Sequence, residues 1–281
     1  MSLQLDQRQR AMLAEMGVKL WLPRAKAAAE SAAAVKTRAP VEKTAPVPAP
    51  ARTPPPARPA PLPVSAPVPA AAPASAALGP RPEGVESMDW PALEAAVAGC
   101  RACGLCAHRT QAVFGVGSRA ADWMVVGEAP GDNEDRQGQP FVGQAGKLLD
   151  NMLAAIGLSR QASADTPLAG RQGVYIANVL KCRPPGNRNP QPEEVAQCEP
   201  YLRRQVALVQ PRIILAMGRF AVQSLLQTTE PIGRLRGRVH QYRGVPVIVT
   251  YHPAYLLRAL PEKAKAWQDL CLALKVAGAP A

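Results

Sequence analysis

The distribution of proline restricts what this sequence can fold into, because 15 of its 31 prolines fall between Pro40 and Pro82. Residues 36–88 are also rich in Ala and Val, and they lack the groups from which a core could be built. Such a stretch stays extended and solvated because burial cannot offset its ordering entropy. We therefore interpret residues 36–88 as a disordered linker and place the folded domain at residues 89–281.

The segment before the linker, residues 1–35, has a different pattern. Its apolar residues between Leu5 and Leu20 recur at helical spacing, which predicts one amphipathic helix. Because the linker separates this helix from the main core, it is a candidate docking peptide for another protein. The alternative is a frayed terminal helix without a role.

Downstream of Met88, short β-rich runs alternate with helical patterns. The predicted strands are Trp123–Gly127, Val174–Leu180, Arg212–Met217 and Val245–Tyr251. The predicted helices are Pro91–Ala98, Gln144–Ile156, Pro192–Val209, Arg219–Gln227 and Pro261–Val276. This alternation predicts an α/β fold, a three-layer α/β/α sandwich around a central four-stranded parallel sheet. Ligands of such folds bind beyond the carboxyl ends of the strands.

Charge and composition favour a protein with a polyanionic partner and disfavour a membrane protein or a disulfide-stapled secreted protein. The formal net charge of +12 favours a polyanionic partner. No apolar run approaches the roughly 20 residues that span a bilayer, and the first residues lack the order of a signal peptide. Six cysteines are too few for a disulfide-stapled secreted scaffold of this length. We expect a cytoplasmic monomer that does not contact membranes.

The cysteines suggest a metal site. They are Cys100, Cys103, Cys106, Cys182, Cys198 and Cys271. Cys100 and Cys103 form a C-x2-C pair, and Cys182 and Cys198 could close a four-sulfur site with them. Their spacing is compatible with zinc or with an iron–sulfur cluster. Cys106 is either a substitute ligand or a spectator, and Cys271 is interpreted as a buried cysteine without a metal role.

Three side chains near predicted strand ends could bind a planar ligand. Phe141, in a Gly-rich loop, could stack on a base or fill the core. Asn178 presents a donor and an acceptor together, which matches the edge of a pyrimidine, although a structural asparagine would look the same. His252 follows the last predicted strand and precedes a proline.

Positive and apolar residues in neighbouring loops could contact nucleic acid. Lys181, Arg183 and Arg188 form a predicted phosphate-facing rim, and Arg236 lies in an arginine-rich loop. Tyr255 and Leu256, which follow the histidine in the same loop, could insert into a base stack. The alternatives are a solvated charged face and apolar residues that pack their own loop.

Taken together, GEAPGDNED…GQPFVG, NVLKCRPPGNRNPQPEE and HPAYLLR, with the cysteine spacing, resemble the family 4 uracil-DNA glycosylases. The resemblance extends from about residue 91 to the C-terminus. It implies an enzyme that flips uracil out of DNA and hydrolyses its N-glycosidic bond, leaving an abasic site for base-excision repair. Separately, the L-x-x-M-G-V-x-x-W run of the N-terminal segment resembles the clamp-loader-binding peptide of a bacterial replication subunit, so the N-terminal helix could bind a replication or repair protein. A metal-bearing module that only grips nucleic acid is the alternative.

The resemblance assigns roles to individual residues. It implies that Cys100, Cys103, Cys182 and Cys198 hold a [4Fe–4S] cluster that is structural or positions DNA. In the pocket, the residues that it implies are Gly127, Glu128, Ala129, Glu134, Phe141, Asn178, Asn187 and His252. Backbone amides near Glu128 and the imidazole of His252 would bind uracil, Phe141 would stack on it and Asn178 would read its edge. Glu134 would block a 5-methyl group, and Asn187 would place the attacking water.

Overall fold

The structure is a computed structural model, and it describes residues 79–162 and 172–278. The predicted N-terminal helix and residues 36–78 of the predicted linker lie outside these ranges. Residues 79–88, which we assigned to the linker, are described and contact the domain. Gly79 N–H donates to the carbonyl of Arg101 (3.0 Å), and Val85 is buried beside Leu93 and Tyr201.

The described residues form seven strands in one sheet. The strands are β1 (Val116–Gly117), β2 (Trp123–Gly127), β3 (Leu158–Ser159), β4 (Gln172–Asn178), β5 (Ile213–Met217), β6 (Val239–Tyr242) and β7 (Val245–Thr250). Along the sheet the order is β1-β4-β2-β5-β7-β6, and β3 also pairs with β4. Strands β4, β2, β5 and β7 are mutually parallel, whereas β1 and β6 are antiparallel to their neighbours.

Eight α-helices connect the strands within the described ranges. They are α1 (Trp90–Gly99), α2 (Asp132–Gln137), α3 (Gln144–Ala155), α4 (Pro192–Val209), α5 (Arg219–Leu226), α6 (Ile232–Leu235), α7 (Pro253–Leu256) and α8 (Lys263–Val276). Short 3-10 turns occur at Val85–Ser87, Gly104–Ala107, Pro185–Asn187 and Leu260–Glu262. No helix in the described part of the chain is long and apolar enough to cross a membrane.

Alternation of side chains along the central strands produces two apolar cores. Val125, Leu215 and Ile248 face one core, where they pack against the buried faces of α3 and α8. Their neighbours Val126 and Ala216 face the other core, beside α4 and α5. The prediction of an α/β fold with helices on both faces is confirmed. The sheet is larger than predicted, because short strands add to its edges through local hairpin and loop pairing.

A buried ion pair fastens the loop after α6 to α8. Arg236 Nε lies 2.7 Å from Asp269 Oδ2, and its Nη2 lies 3.0 Å from Oδ1. The side chains of Arg236 and Asp269 are only 11% and 1% exposed. Two parallel hydrogen bonds of this kind give the guanidinium a fixed position.

We expect Arg236→Gln to lower the free energy of unfolding by about 3–5 kcal/mol, since it leaves the Asp269 carboxylate buried without its partner. Urea unfolding followed by circular dichroism measures the change. The double variant Arg236→Gln/Asp269→Asn removes both charges and should recover part of the loss. Equal stability of Arg236→Gln and the unchanged chain would contradict the structural role of this ion pair.

Candidate active site

One cavity, of about 630 Å³, opens at the carboxyl edge of the parallel strands. Its wall includes Glu128, Ala129, Glu134, Phe141, Asn178, Asn187, Arg188, His252 and Tyr255. The tertiary structure thus brings together predicted site residues from the loops after β2, β4 and β7. Sequence analysis missed Arg219 and Arg258, which also line the cavity and are exposed.

The floor of the cavity depends on the pairing of β2 with β4, which sets Gly127 beside Asn178. A Cβ atom at Gly127 would come within 2.4 Å of Asn178 Oδ1 and 2.6 Å of the Phe141 ring. Only a residue without a side chain fits between these two groups. Gly127 therefore contributes to the site by leaving space, although it is not itself in the cavity wall.

The side-chain amide of Asn178 is buried, and its oxygen lacks a hydrogen-bond donor among the described residues. Its residue is 2% exposed, and Oδ1 accepts no hydrogen bond from any described residue. Burying an acceptor without a donor costs about 1–3 kcal/mol. A ligand that donates to this oxygen from within the cavity would supply the missing bond.

Glu134 stabilises the loop that carries Phe141. Its carboxylate accepts hydrogen bonds from the N–H groups of Gly131 (3.1 Å), Val142 (3.0 Å) and Gly143 (3.3 Å). Phe141 has a φ of 55°, in the left-handed region that bulky residues rarely adopt. The hydrogen bonds that Glu134 accepts help to hold this conformation, in which the Phe141 ring stacks on His252 with centroids 5.4 Å apart.

His252 has a defined tautomer. Its Nδ1 accepts a hydrogen bond from Ala254 N–H (3.1 Å), so the proton of a neutral ring resides on Nε2. Burial lowers the pKa of His252 to about 4, against the opposing charge of Glu134. At neutral pH this imidazole is an uncharged hydrogen-bond donor.

Glu128 is another titratable group in the cavity whose pKa is shifted. Burial raises its pKa to about 7, although the nearby charge of Arg219 opposes this shift. Its backbone is fixed, because the carbonyl of Glu128 accepts a hydrogen bond from Leu180 N–H (3.0 Å). This contact joins the loop after β2 to the segment that follows β4.

Several residues predicted to contact DNA have internal partners in the structure. Lys181 is buried, and its Nζ donates to the Asn178 carbonyl (2.7 Å) and to Gln205 Oε1 (2.6 Å). Placing Lys181 on a phosphate-facing rim was therefore wrong: a fully buried ammonium cannot reach solvent. Arg188 forms two hydrogen bonds with the Glu194 carboxylate, 2.9 and 2.5 Å long.

Arg236 also has an internal partner, because its guanidinium pairs with the Asp269 carboxylate and most of the Arg236 side chain is buried. The structure does not present it as a free phosphate contact. Arg183 bonds to Asn187 and Asp132.

The predicted wedge residues have different environments. Tyr255 is 40% exposed and lies at the cavity rim, whereas Leu256 is fully buried in the core beside α3. Leu256 cannot enter a base stack without leaving that core. Its neighbour Leu257, directly after α7, is 42% exposed and is a second large apolar side chain in contact with solvent near Tyr255.

A second, small cavity is lined by cysteines. Cys100, Cys103, Cys106, Cys182 and Cys198 border it, together with Arg109, Lys181 and Tyr201. Among the described residues, no three His, Cys, Asp or Glu side chains are arranged to hold a single metal ion. Five of the six cysteines of the sequence thus line one cavity. Cys271 lies apart from them, on α8.

The environment of these thiols disfavours uncompensated thiolates. Burial raises the pKa of Cys182 to about 11 and that of Cys198 to about 12. Arg109, which sequence analysis missed, donates to Cys182 Sγ (2.9 Å) and to the Ala98 carbonyl (2.5 Å). Ionised sulfurs here require further positive charge, which a metal group would supply.

Comparison with known proteins finds one family and several relatives for this sequence. The sequence model of the Uracil DNA glycosylase superfamily matches residues 114–271. A type-4 uracil-DNA glycosylase of Archaeoglobus fulgidus is 46% identical over 166 residues, which cover 56% of this chain and 78% of the relative. One from Pyrobaculum aerophilum is 39% identical over 193 residues, covering 66% and 93%. A type-5 enzyme of the same organism is 37% identical over 142 residues, covering 47% and 61%.

Because the family match covers more than half of the chain and the type-4 relatives are matched over most of their length, this protein belongs to the type-4 branch of the uracil-DNA glycosylase superfamily.

Proposed function

We propose that this protein is a uracil-DNA glycosylase that binds uracil flipped out of DNA and hydrolyses its N-glycosidic bond. The observation that carries the proposal is the buried amide of Asn178, whose Oδ1 has no donor among the described residues. Uracil N3–H would donate to this oxygen, and uracil O4 would accept from Nδ2. Cytosine reverses both groups and would leave the amide unmatched, which a buried polar site penalises strongly.

His252 would stabilise the departing base. As the bond between uracil and the deoxyribose breaks, negative charge develops on the base, and the Nε2–H of His252 would donate to uracil O2. A neutral imidazole with a fixed tautomer suits this role, because it needs no reorganisation when charge appears. Backbone amides beside Glu128 would add further donors.

The sugar would be attacked by water, and the side chain of Asn187 in the cavity wall would place it. Phe141 would stack on the flipped base, and Glu134 would fix the surrounding loop so that a 5-methyl group does not fit. Flipping costs a few kcal/mol of unstacking. Tyr255 and Leu257, the exposed residues beside the cavity, would fill the vacated stack, while Arg219 and Arg258 would contact phosphates.

The cysteine cavity fits an iron–sulfur cluster better than a single ion. In a [4Fe–4S] cluster each iron takes one thiolate, so a cavity bordered by at least four cysteines suits it, and five cysteines line this one. Cys100, Cys103, Cys182 and Cys198 would hold it, and Arg109 would stabilise the Cys182 thiolate. When bound, the cluster would fix the segment after β4 relative to the turn after α1.

The alternative of a non-catalytic binding module is tested by uracil release. We expect the protein to yield alkali-labile sites in a uracil-containing oligonucleotide. Gly127→Ala should lower this activity by at least about 100-fold, because the added Cβ displaces Asn178 and Phe141 from the site. In the matched control Gly233→Ala, the Cβ has no neighbour within 4 Å. Activity of Gly127→Ala equal to that of Gly233→Ala would argue against the pocket.

The state of His252 predicts a pH dependence. NMR of the imidazole rings should show the Nε2–H tautomer for His252 and a titration near pH 4, not near 6.5, because burial disfavours the charged ring. His252→Gln identifies its signals among the three histidines and should lower the single-turnover rate by about 100- to 1,000-fold. An imidazolium at pH 6 would contradict the neutral-donor mechanism.

The cluster assignment predicts the behaviour of cysteine variants. We expect Cys182→Ser to lose the brown colour and bound iron, whereas Cys271→Ser should keep both because Cys271 lies apart from the cavity. Cys106→Ser should also keep the iron if four other sulfurs suffice. Iron and zinc analysis with visible absorption measures the outcome, and a colourless protein loaded with zinc would exclude the cluster.

A further inference from the structure

Arg183 is placed between two loops of the active site, and its guanidinium contacts both. Its Nε donates to Asn187 Oδ1 (2.8 Å), and its Nη1 donates to Asp132 Oδ1 (2.5 Å). The side chain is 25% exposed. A guanidinium presents its donors in a rigid plane, so two partners on different edges determine its position.

The turn that carries Asn187 provides little support for its side chain. Gly186 and Asn187 both have positive φ values, 61° and 54°, and residues 185–189 are exposed. The backbone of Asn187 is held through its N–H, which donates to the Pro184 carbonyl (3.0 Å). The contact that the structure gives the Asn187 side chain is the hydrogen bond from Arg183.

This hydrogen bond determines which way the amide faces. Arginine can only donate, so the Asn187 atom that faces Arg183 must be Oδ1. Because the amide is planar, Nδ2 then lies at its other end, and Asn187 lines the cavity. An amide held in this way can donate to the oxygen of a water in the cavity, whereas a freely rotating amide would present either atom.

Asp132 completes the arrangement. It is the first residue of α2, in the segment that follows β2 and Glu128, and it also pairs with Arg136. Arg183 follows Cys182 in the segment after β4. The guanidinium thus joins the two loops and has a carboxylate partner, so a DNA phosphate would have to compete with Asp132 for it.

We propose that Arg183 is a positioning residue that holds the Asn187 amide in the orientation needed to place water, with Asp132 fixing the guanidinium, and that it is not primarily a phosphate contact. This inference rests on the proposed function, because it assumes that Asn187 places the attacking water.

The experiment compares Arg183→Gln, Arg183→Lys, Asp132→Asn, Asn187→Ala and the double variant Arg183→Gln/Asn187→Ala. Arg212→Gln is the charge-matched control, since Arg212 is exposed just before β5, at the opposite edge of the sheet. Single-turnover rates are measured with enzyme in excess. The Kd for an uncleavable uracil oligonucleotide is measured across salt concentrations, and melting temperature and iron content confirm folding.

We expect Arg183→Gln and Arg183→Lys to lower the single-turnover rate by about 10- to 100-fold, since misplacement alone costs this much. Lysine keeps the charge but cannot span both partners. The salt dependence of Kd should match that of Arg212→Gln. Asp132→Asn should lower the rate without tightening binding. Combining Arg183→Gln with Asn187→Ala should add little to Asn187→Ala alone, because both changes remove the same function.

The phosphate alternative gives opposite results. Arg183→Gln would then reduce the slope of log Kd against log salt by about 0.9 with an unchanged single-turnover rate, and Asp132→Asn would tighten binding. Either result, or multiplicative rate losses in the double variant, overturns the inference. If Asn187→Ala has a lowered rate and Arg183→Gln is fully active, this inference is wrong, while the proposed function is unaffected. A wild-type protein that releases no uracil overturns the proposed function itself.

If Arg183→Gln loses iron, Asp132→Asn decides the question, because it leaves the residue next to Cys182 unchanged. A lowered rate with unaltered Kd then supports the positioning role, and a wild-type rate with tighter binding overturns it.

Discussion

The site depends on the register between two parallel strands, which puts Gly127 beside Asn178 at the carboxyl edge of the sheet. The missing side chain at Gly127 leaves room for the Asn178 amide and the Phe141 ring beside it. Asn178 is then buried with an oxygen that no described residue satisfies. This unsatisfied oxygen lowers the stability of the fold by about 1–3 kcal/mol. A base whose edge donates to it restores the hydrogen bond, so the same group that lowers stability provides specificity.

Three of the cationic side chains that were predicted to contact DNA bind other groups of the protein instead. Arg188 pairs with Glu194, Arg236 with Asp269 and Lys181 with Gln205 and a backbone carbonyl. These contacts fix the loops that carry the pocket residues. A net charge of +12 therefore does not identify which cations contact DNA. The exposed Arg219 at the rim lies outside the motifs, and Arg258 lies at the end of HPAYLLR without a role assigned to it.

Hydrophobic periodicity in the sequence predicted most of the long strands and helices of the fold. The four longest strands and five main helices were found from periodicity, because buried strands and amphipathic helices leave clear apolar patterns. The two-residue strands β1 and β3 were not predicted, since so short a pairing depends on which backbone lies beside it. Tyr255 and Leu256 were predicted together as DNA contacts, yet α7 exposes Tyr255 and buries Leu256, a difference that only the helix orientation decides.

The sequence by itself determined the α/β class, and it indicated several of the residues that line the cavity and the cysteine set, because these follow from local patterns and from motifs read in order. Only the tertiary structure decided which cations are buried, which oxygen lacks a donor and which side chains hold one another. Those properties arise between residues far apart in the chain, such as Arg183 and Asp132 or Arg109 and Cys182, and no local pattern encodes the distance between them.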